Sequence, residues 1–308
     1  MEKSCPCQRA NETAHNHTLK PPEVFTDLES LIERAARDLL KSNHAIALTG
    51  AGMSTESGIP DFRGPNGIWT KDPEAEKRAY QTYHKFLRNP KEYWEDVLSG
   101  RSMLGDLTSA RPNPGHEALV ELEKLGILKA VLTQNIDGLH EKAGTKRVLE
   151  YHGSVLKLRC PSCGSRFKRD DYDLKGLMLE DKLPPRCSKC SSPIKGDVVH
   201  FNEPIPSDVA HDSLEEAWKC DLMLICGTSA VVYPFAQLPR IARQRQVEDK
   251  QKAESGLYFV KNESATTIIE VNAEPTPLTA EGISDYLIQG RTAEILPQIV
   301  EAVKKLSR

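Results

Sequence analysis

Five short apolar runs limit this fold more than any other feature: HAIALT (44–49), LKAVLT (128–133), VLEYHGS (148–154), DLMLICGTS (221–229) and ATTIIEVN (265–272). They lack the strict apolar–polar alternation of a strand wet on one face. They are also too short for ordinary helices, so they read as strands buried on both faces. Helical patterns separate them. Residues 25–42 repeat Leu28, Leu31, Ile32, Ala35, Leu39 and Leu40 along one face. Pro114 suits the first turn of a helix striped by Leu119, Leu122 and Leu125, and residues 293–306 read as a closing helix. Residues 71–111 are helical in pattern and mixed in composition. Strands alternating with helices predict an α/β fold built on a doubly wound parallel sheet.

The polar residues fall at informative places. Gly50–Ser54, Gln134–Asp137, His152, Gly227–Ser229 and Asn272 each follow the carboxyl end of an expected strand. In an open α/β sheet those ends share one crevice, where ligands bind. Gly50, Ala51 and Gly52 with Ser54 suit a phosphate cradle of backbone N–H groups and a hydroxyl, or an ordinary strand-to-helix turn. A dinucleotide fingerprint wants a third glycine three residues on, and Thr55 stands there instead. The loop continues through Gly58, Pro60, Asp61, Phe62, Arg63 and Trp69. Phe62 and Arg63 combine an aromatic shield with a guanidinium fork for phosphate, or form an exposed loop pair. Asn135 and Asp137, beside Gln134, offer the amide and carboxylate that would grip a carboxamide; the alternative is a helix N-cap by Asp137. His152 is placed for a general base of near-neutral pKa, or for a structural role.

Eight cysteines are present, and four form two pairs, Cys160-x2-Cys163 and Cys187-x2-Cys190, with 23 residues between them. Two such knuckles give a closed tetrahedral thiolate site for Zn2+, structural because no coordination position is left open. Disulfides are the alternative, and the polar stretch 1–22 carries no apolar leader core to support them. That stretch reads as a disordered tail with Cys5 and Cys7 incidental; Cys220 and Cys226 read as core. A net charge of −3 with 28% charged residues gives no reason to expect nucleic acid or a membrane surface as partner. No run of about 18 apolar residues would span a bilayer, and a cytoplasmic location is expected.

Taken in order, GAGMSTESGIPDFRGPNGIW, TQNIDGLHEKAG, YHGS, the two cysteine pairs, VVHFNE, GTSAVVYP and VNAEPTP resemble the sirtuins, NAD-dependent protein-lysine deacylases, over about residues 25–305. The resemblance implies a Rossmann-like NAD-binding domain (23–68, 113–155 and 204–308). It also implies a small domain made of a helical insertion (69–112) and a zinc-ribbon module (156–203). NAD would be a co-substrate, its nicotinamide half bent into an inner pocket under a mobile loop that includes Asp61 and Trp69. By that likeness Phe62 would shield the sugar carbon and Arg63 would hold phosphate. Asn135 and Asp137 would grip the carboxamide beside Gln134, with Ile136 against the ring. Gly227, Thr228 and Ser229 would meet phosphate and ribose, Asn272 and Glu274 the adenosine ribose, and Thr292 would lie near the adenine. The acyl-lysine oxygen would attack C1′ and release nicotinamide. His152 would then deprotonate a ribose hydroxyl for attack on the imidate carbon, and water would free lysine and O-acyl-ADP-ribose.

The same resemblance implies that an acyl-lysine protein or peptide adds as a strand between 198–203 and 230–234, meeting Val199, Phe201, Asn202, Glu203 and Val231. Asn202 stands where the family has glycine, which leaves the peptide register open. Members specialised for succinyl- or malonyl-lysine carry a Tyr-x-x-Arg pair after the insertion's tryptophan. Here Val97 and Gly100 follow Trp94, with Arg101 one place off, so acetyl or longer apolar acyl groups are expected. A mono-ADP-ribosyltransferase would use the same bond cleavage, but only deacylation needs His152 as base. A zinc-ribbon binding module without catalysis would leave the dinucleotide apparatus unused. A Rossmann dehydrogenase would want an acidic residue about 20 positions after the glycines, where this chain has a Pro- and Gly-rich loop.

Overall fold

The computed structural model describes residues 27–65, 67–99, 107, 109–244 and 266–308. The expected tail, together with Gly100 and Arg101, lies outside the described residues.

Strands β1 (Ala45–Thr49), β2 (Leu128–Thr133), β3 (Val148–Glu150), β7 (Leu222–Cys226), β8 (Thr267–Asn272) and β9 (Tyr286–Gln289) form one sheet in the order β3-β2-β1-β7-β8-β9. Every pairing in it is parallel. This is the doubly wound order in which the first strand lies at the centre and the chain reverses direction across it. Strands β4 (Lys157–Arg159), β5 (Arg166–Lys168) and β6 (Lys195–Gly196) make a separate antiparallel sheet.

The large sheet has two cores, which is why its strands show no alternation. Ala45, Ala47, Val131, Leu224 and Ile269 face one apolar cluster, which contains α1 (Leu28–Lys41), α5 (Pro114–Lys124) and α11 (Thr292–Leu306). Ile46, Leu48, Ala130, Leu132, Met223, Ile225 and Ile268 face the other. Each fully buried aliphatic side chain contributes about 1.5–3 kcal/mol, so both faces must be covered for such runs to hold. Asp27 caps α1 by accepting from the Ser30 N–H at 2.8 Å, and Asn113 caps α5, whose first residue is Pro114.

The small body has one core of its own. Phe86 from α3 (Pro73–Arg88) and Tyr93 and Trp94 from α4 (Pro90–Leu98) pack with Leu158, Cys160, Leu174, Leu183, Cys187 and Ile194. The Trp94 Nε1–H donates to the Ile194 carbonyl at 2.8 Å, pinning the insertion to the ribbon.

Three features differ from the sequence reading. The third strand stops at Glu150, because the Gly153 N–H donates back to the Glu150 carbonyl at 2.9 Å and closes a turn through Tyr151 and His152. Strand β9 spans only Tyr286–Gln289, three apolar residues and a glutamine, too short a run to register as a buried strand. Helix α8 (Ser207–Lys219) leaves Leu214 and Trp218 exposed, so its pattern is weakly amphipathic.

Candidate active site

The loops after β1 and β7 meet backbone to backbone. The Gly50 N–H donates to the Cys226 carbonyl at 3.1 Å, and the Gly52 N–H to the Gly227 carbonyl at 2.8 Å. A Cβ on Gly227 would sit 2.4 Å from the Met53 nitrogen, and Gly227 has φ of +60°. Only glycine permits this crossing. The loop does not run into a long helix: two single 3-10 turns, Ala51–Met53 and Thr55–Ser57, follow instead. The absence of a third glycine at Thr55 therefore marks a real departure from the dinucleotide fingerprint.

Ser54, Asn135 and Asp137 form one cluster, with Ser54 and Asp137 buried and Asn135 half-buried. The Ser54 hydroxyl donates to Asp137 Oδ2 at 2.7 Å and accepts from Asn135 Nδ2 at 3.0 Å. Asn135 Nδ2 also donates to the Gly50 carbonyl at 2.9 Å. The Ser54 hydroxyl hydrogen is directed at Asp137 and orients its carboxylate. Burial pushes the Asp137 carboxyl up, opposed by hydrogen bonds from the Leu139 N–H and Ser54. Asp137 also accepts the Leu139 N–H at 2.9 Å in an Asx turn, while the N-cap of the short helix Leu139–Ala143 is Gly138 and not Asp137. Gln134 is tied to the β7 loop by its Nε2–H, which donates to Thr228 Oγ1 at 2.8 Å. Ile136 packs beside Ile59, Leu107 and Leu139.

His152 sits one turn beyond β3, its Nδ1 3.3 Å from the Gln134 carbonyl. That carbonyl accepts, so the proton resides on Nδ1 and Nε2 keeps its lone pair. The ring packs edge-on to Tyr151 at 5.7 Å and lies 6.4 Å from Phe235. Burial pushes its pKa down to about 4, with the Gln134 carbonyl opposing. The near-neutral value expected from the sequence is corrected accordingly, since apolar neighbours disfavour the imidazolium. His116 and His140 are buried in the fold behind the crevice. His140 Nε2 is 2.9 Å from Thr49 Oγ1, and burial lowers both pKa values, that of His116 to about 4.

The remaining predicted contacts are spread along the same edge. The Asp61 carboxylate accepts the Gly64 N–H at 2.9 Å, and the Ile68 and Trp69 N–H groups donate to the Asp61 and Phe62 carbonyls at 2.9 Å each, which folds the loop on itself. The Phe62 ring lies 4.7 Å from Trp69, and the Arg63 guanidinium lies 4.6 Å above the Trp69 ring. Ala51 is half-buried, Thr228 buried and Ser229 exposed. Asn272 Nδ2 donates to the exposed Glu274 carbonyl at 2.8 Å, and the buried Thr292 hydroxyl donates to the Gly52 carbonyl at 3.4 Å.

The side chains that follow β1, β2, β3 and β7 all lie within the region matched by a known sequence profile. The profile of the Sir2 family covers residues 50–234. The chain belongs to the Sir2 family. An NAD-dependent protein deacylase of Pyrococcus furiosus is 41% identical over 90% of this chain and 100% of its own length. The crystal structure of a Sir2 homolog–NAD complex superposes with a TM-score of 0.67 at 35% identity, covering 92% of this chain and 96% of the other. The structure of Sir2Af2 bound to a myristoylated histone peptide gives 0.59 at 37% identity, covering 91% and 98%.

Two further parts of this Sir2 protein flank the crevice. The Sγ atoms of Cys160, Cys163, Cys187 and Cys190 all lie within 4.8 Å of one another. The Cys160–Cys190 and Cys163–Cys187 separations are 3.5 and 3.7 Å. A tetrahedron of Zn–S bonds of about 2.3 Å has edges of about 3.8 Å, whereas a disulfide needs about 2.05 Å, so the donor set fits zinc. Matching turns present the sulfurs: the Cys160 N–H donates to the Ser165 carbonyl and the Cys187 N–H to the Ser192 carbonyl, both at 2.9 Å.

The segment VVHFNE lies against the turn that carries His152, with the Val199 N–H donating to the His152 carbonyl at 2.8 Å. The Phe201 ring is stacked at 4.2 Å on Tyr80, a residue the sequence did not single out, and lies 5.7 Å from Trp69. Asn202 has φ of +65°. Asparagine tolerates this left-handed conformation better than most side chains, so it keeps the turn that the family's glycine would make. The Glu203 carboxylate is buried and engaged by Arg159, Lys195 and the His200 N–H, and so braces this segment. Val231 is 40% exposed across the crevice.

Proposed function

We infer that this chain is an NAD-dependent protein-lysine deacylase, consuming NAD as a substrate and returning free lysine, nicotinamide and O-acyl-ADP-ribose. One observation carries the reading: a histidine kept neutral, with a free Nε2, is bonded to the Gln134 carbonyl, one residue before Asn135 of the interlocked Asn135–Ser54–Asp137 cluster at the carboxyl edge of the sheet. The cluster offers fixed oxygen acceptors for the N–H groups of a carboxamide, and so supports binding of the nicotinamide group with its glycosidic bond strained toward cleavage. His152 supports removal of a proton from the ribose hydroxyl once the acyl oxygen has captured C1′. The Phe62, Arg63 and Trp69 loop supports exclusion of water from that carbon. Thr228, Ser229, Asn272, Glu274 and Thr292 are proposed contacts to the phosphates, riboses and adenine. Zinc, held by the four cysteines, is structural and takes part in no step. The shared core of the insertion and the ribbon supports treating them as one small domain beside the Rossmann-like one.

The substrates are acyl-lysine proteins or peptides, with Val199, Phe201, Asn202 and Val231 proposed along the peptide path. Apolar acyl groups are proposed over acidic ones. Val97 follows Trp94 in α4 and offers no hydroxyl or cation, and Phe201 lies against the Tyr80 and Trp69 rings. Burying a succinyl carboxylate there without a partner costs several kcal/mol. Matched acetyl- and succinyl-lysine peptides, followed by mass spectrometry with NAD present, test this. The expected kcat/KM is at least about tenfold higher for acetyl-lysine. A succinyl preference would place a cation in the pocket and overturn the acyl assignment.

A further inference from the structure

Four charged side chains, none more than 8% exposed, lie between the zinc ribbon and the crevice. Arg159 ends β4 and directly precedes Cys160. Lys195 lies in β6, five residues after Cys190. Arg159 reaches Asp197 Oδ1 at 3.0 Å and Glu203 Oε1 at 2.7 Å. Lys195 Nζ reaches Glu203 Oε2 at 3.1 Å and donates to the Gly196 and Val198 carbonyls at 2.8 and 2.6 Å. Arg166, part-exposed and shared with Asp208, adds a 3.4 Å contact to Asp197. Two cations fixed on ribbon strands therefore hold both ends of the segment 197–203.

The middle of that segment touches the catalytic turn. Beyond the Val199–His152 bond, Gly153 packs so tightly that a Cβ would stand 2.1 Å from the Asp197 carbonyl oxygen, at φ of +73°. The His200 Nε2 is 3.2 Å from the Tyr93 hydroxyl, tying the segment to α4 as well. Burial of two opposed charge pairs is costly unless every partner is present, and removing one partner leaves its mate stranded. Apolar residues of similar volume would serve packing alone at least as well, so charge at these positions fixes geometry.

We propose that Arg159, Lys195 and Glu203 are positioning residues for the acyl-lysine substrate: they hold the segment 198–203 in register against the ribbon and, through Val199, hold the backbone of His152. The inference rests on the reading of that segment as the peptide path.

The test compares Lys195→Met, Glu203→Gln, Lys195→Arg and the double variant Lys195→Met/Glu203→Gln in the full-length zinc-loaded protein. Four quantities are measured: KM for an acetyl-lysine peptide, kcat, the Kd for ADP-ribose, and zinc content. Each neutralising single variant is expected to raise peptide KM about tenfold or more while the ADP-ribose Kd stays within about twofold and zinc is retained. Lys195→Arg, which keeps the charge, should recover most of the peptide affinity, and the double variant should outperform Glu203→Gln because no lysine is left stranded. Should Lys195→Met not fold, Glu203→Gln, which preserves shape, carries the same reading. Unchanged peptide KM, or peptide and ADP-ribose affinity falling together with loss of zinc, would overturn the proposal. Failure of the wild-type protein to deacylate the peptide with NAD would instead overturn the functional reading beneath it.

Discussion

Replacing His152 with alanine is expected to slow deacylation by about 10²–10⁴-fold, the usual cost of losing a general base, while nicotinamide exchange survives much better. The two rates separate because they need different groups. Attack of the acyl oxygen on C1′ and its reversal require no base, only the carboxamide cluster of Asn135, Ser54 and Asp137, which His152→Ala leaves intact. Proton removal from the ribose hydroxyl requires an imidazole with a free nitrogen, and Nε2 is that nitrogen when Nδ1–H is held by the Gln134 carbonyl. The pH profile carries the same signature. Burial holds His152 down to about 4, so it is already neutral at pH values where an ordinary histidine, near about 6.5, would still be protonated. The ascending limb of wild-type kcat/KM is therefore expected well below about pH 6.5, leaving activity flat through neutrality as far as this group is concerned. Near wild-type deacylation by the alanine variant would make His152 structural.

Removing zinc is expected to collapse the small domain and leave the large sheet standing. Cys160 and Cys187 are themselves part of the small domain's core, packed with Leu158, Leu174, Leu183 and Trp94. The ribbon sheet is short, its strands only two or three residues long, and two of the four thiolates sit in the core itself, so losing the metal undoes the packing around them. Structural zinc supplies about 10–16 kcal/mol in comparable small sites at neutral pH. Hydrogen exchange after chelation should show residues 157–197 losing protection while β1, β2, β7 and β8 keep theirs, buried on both faces as they are. Deacylation should be lost, and chelator should not compete with NAD. Metal-free protein that is well folded and fully active by elemental analysis would contradict the structural role.

How far the sequence could be read depended on what kind of signal each part carries. The central strands were legible because a run such as AIALT can only be stable when covered on both sides, and the strand ends then placed His152, Asn135 and Asp137 in one crevice. The cysteine spacing announced the metal site, since two x2 pairs have few other uses. The edge strand β9 escaped because edge position weakens its apolar run. The pairing of Ser54 with Asp137 escaped because it joins loops 83 residues apart, and no local pattern encodes which of several donors a buried carboxylate will take. The depressed pKa of His152 is a property of its packing, which spacing does not reveal. Lys195 and Glu203 looked like ordinary polar residues in a turn-rich module; only their burial together shows that they are paired.

The central claim is that NAD is consumed in removing the acyl group. Wild-type protein, an acetyl-lysine peptide and NAD are incubated together, and nicotinamide, free lysine peptide and O-acetyl-ADP-ribose are quantified over the same time course. The three products are expected to rise in equal amounts, with none formed when NAD is left out. Deacetylation without NAD, or acetate released with no ADP-ribose ester, would contradict the account.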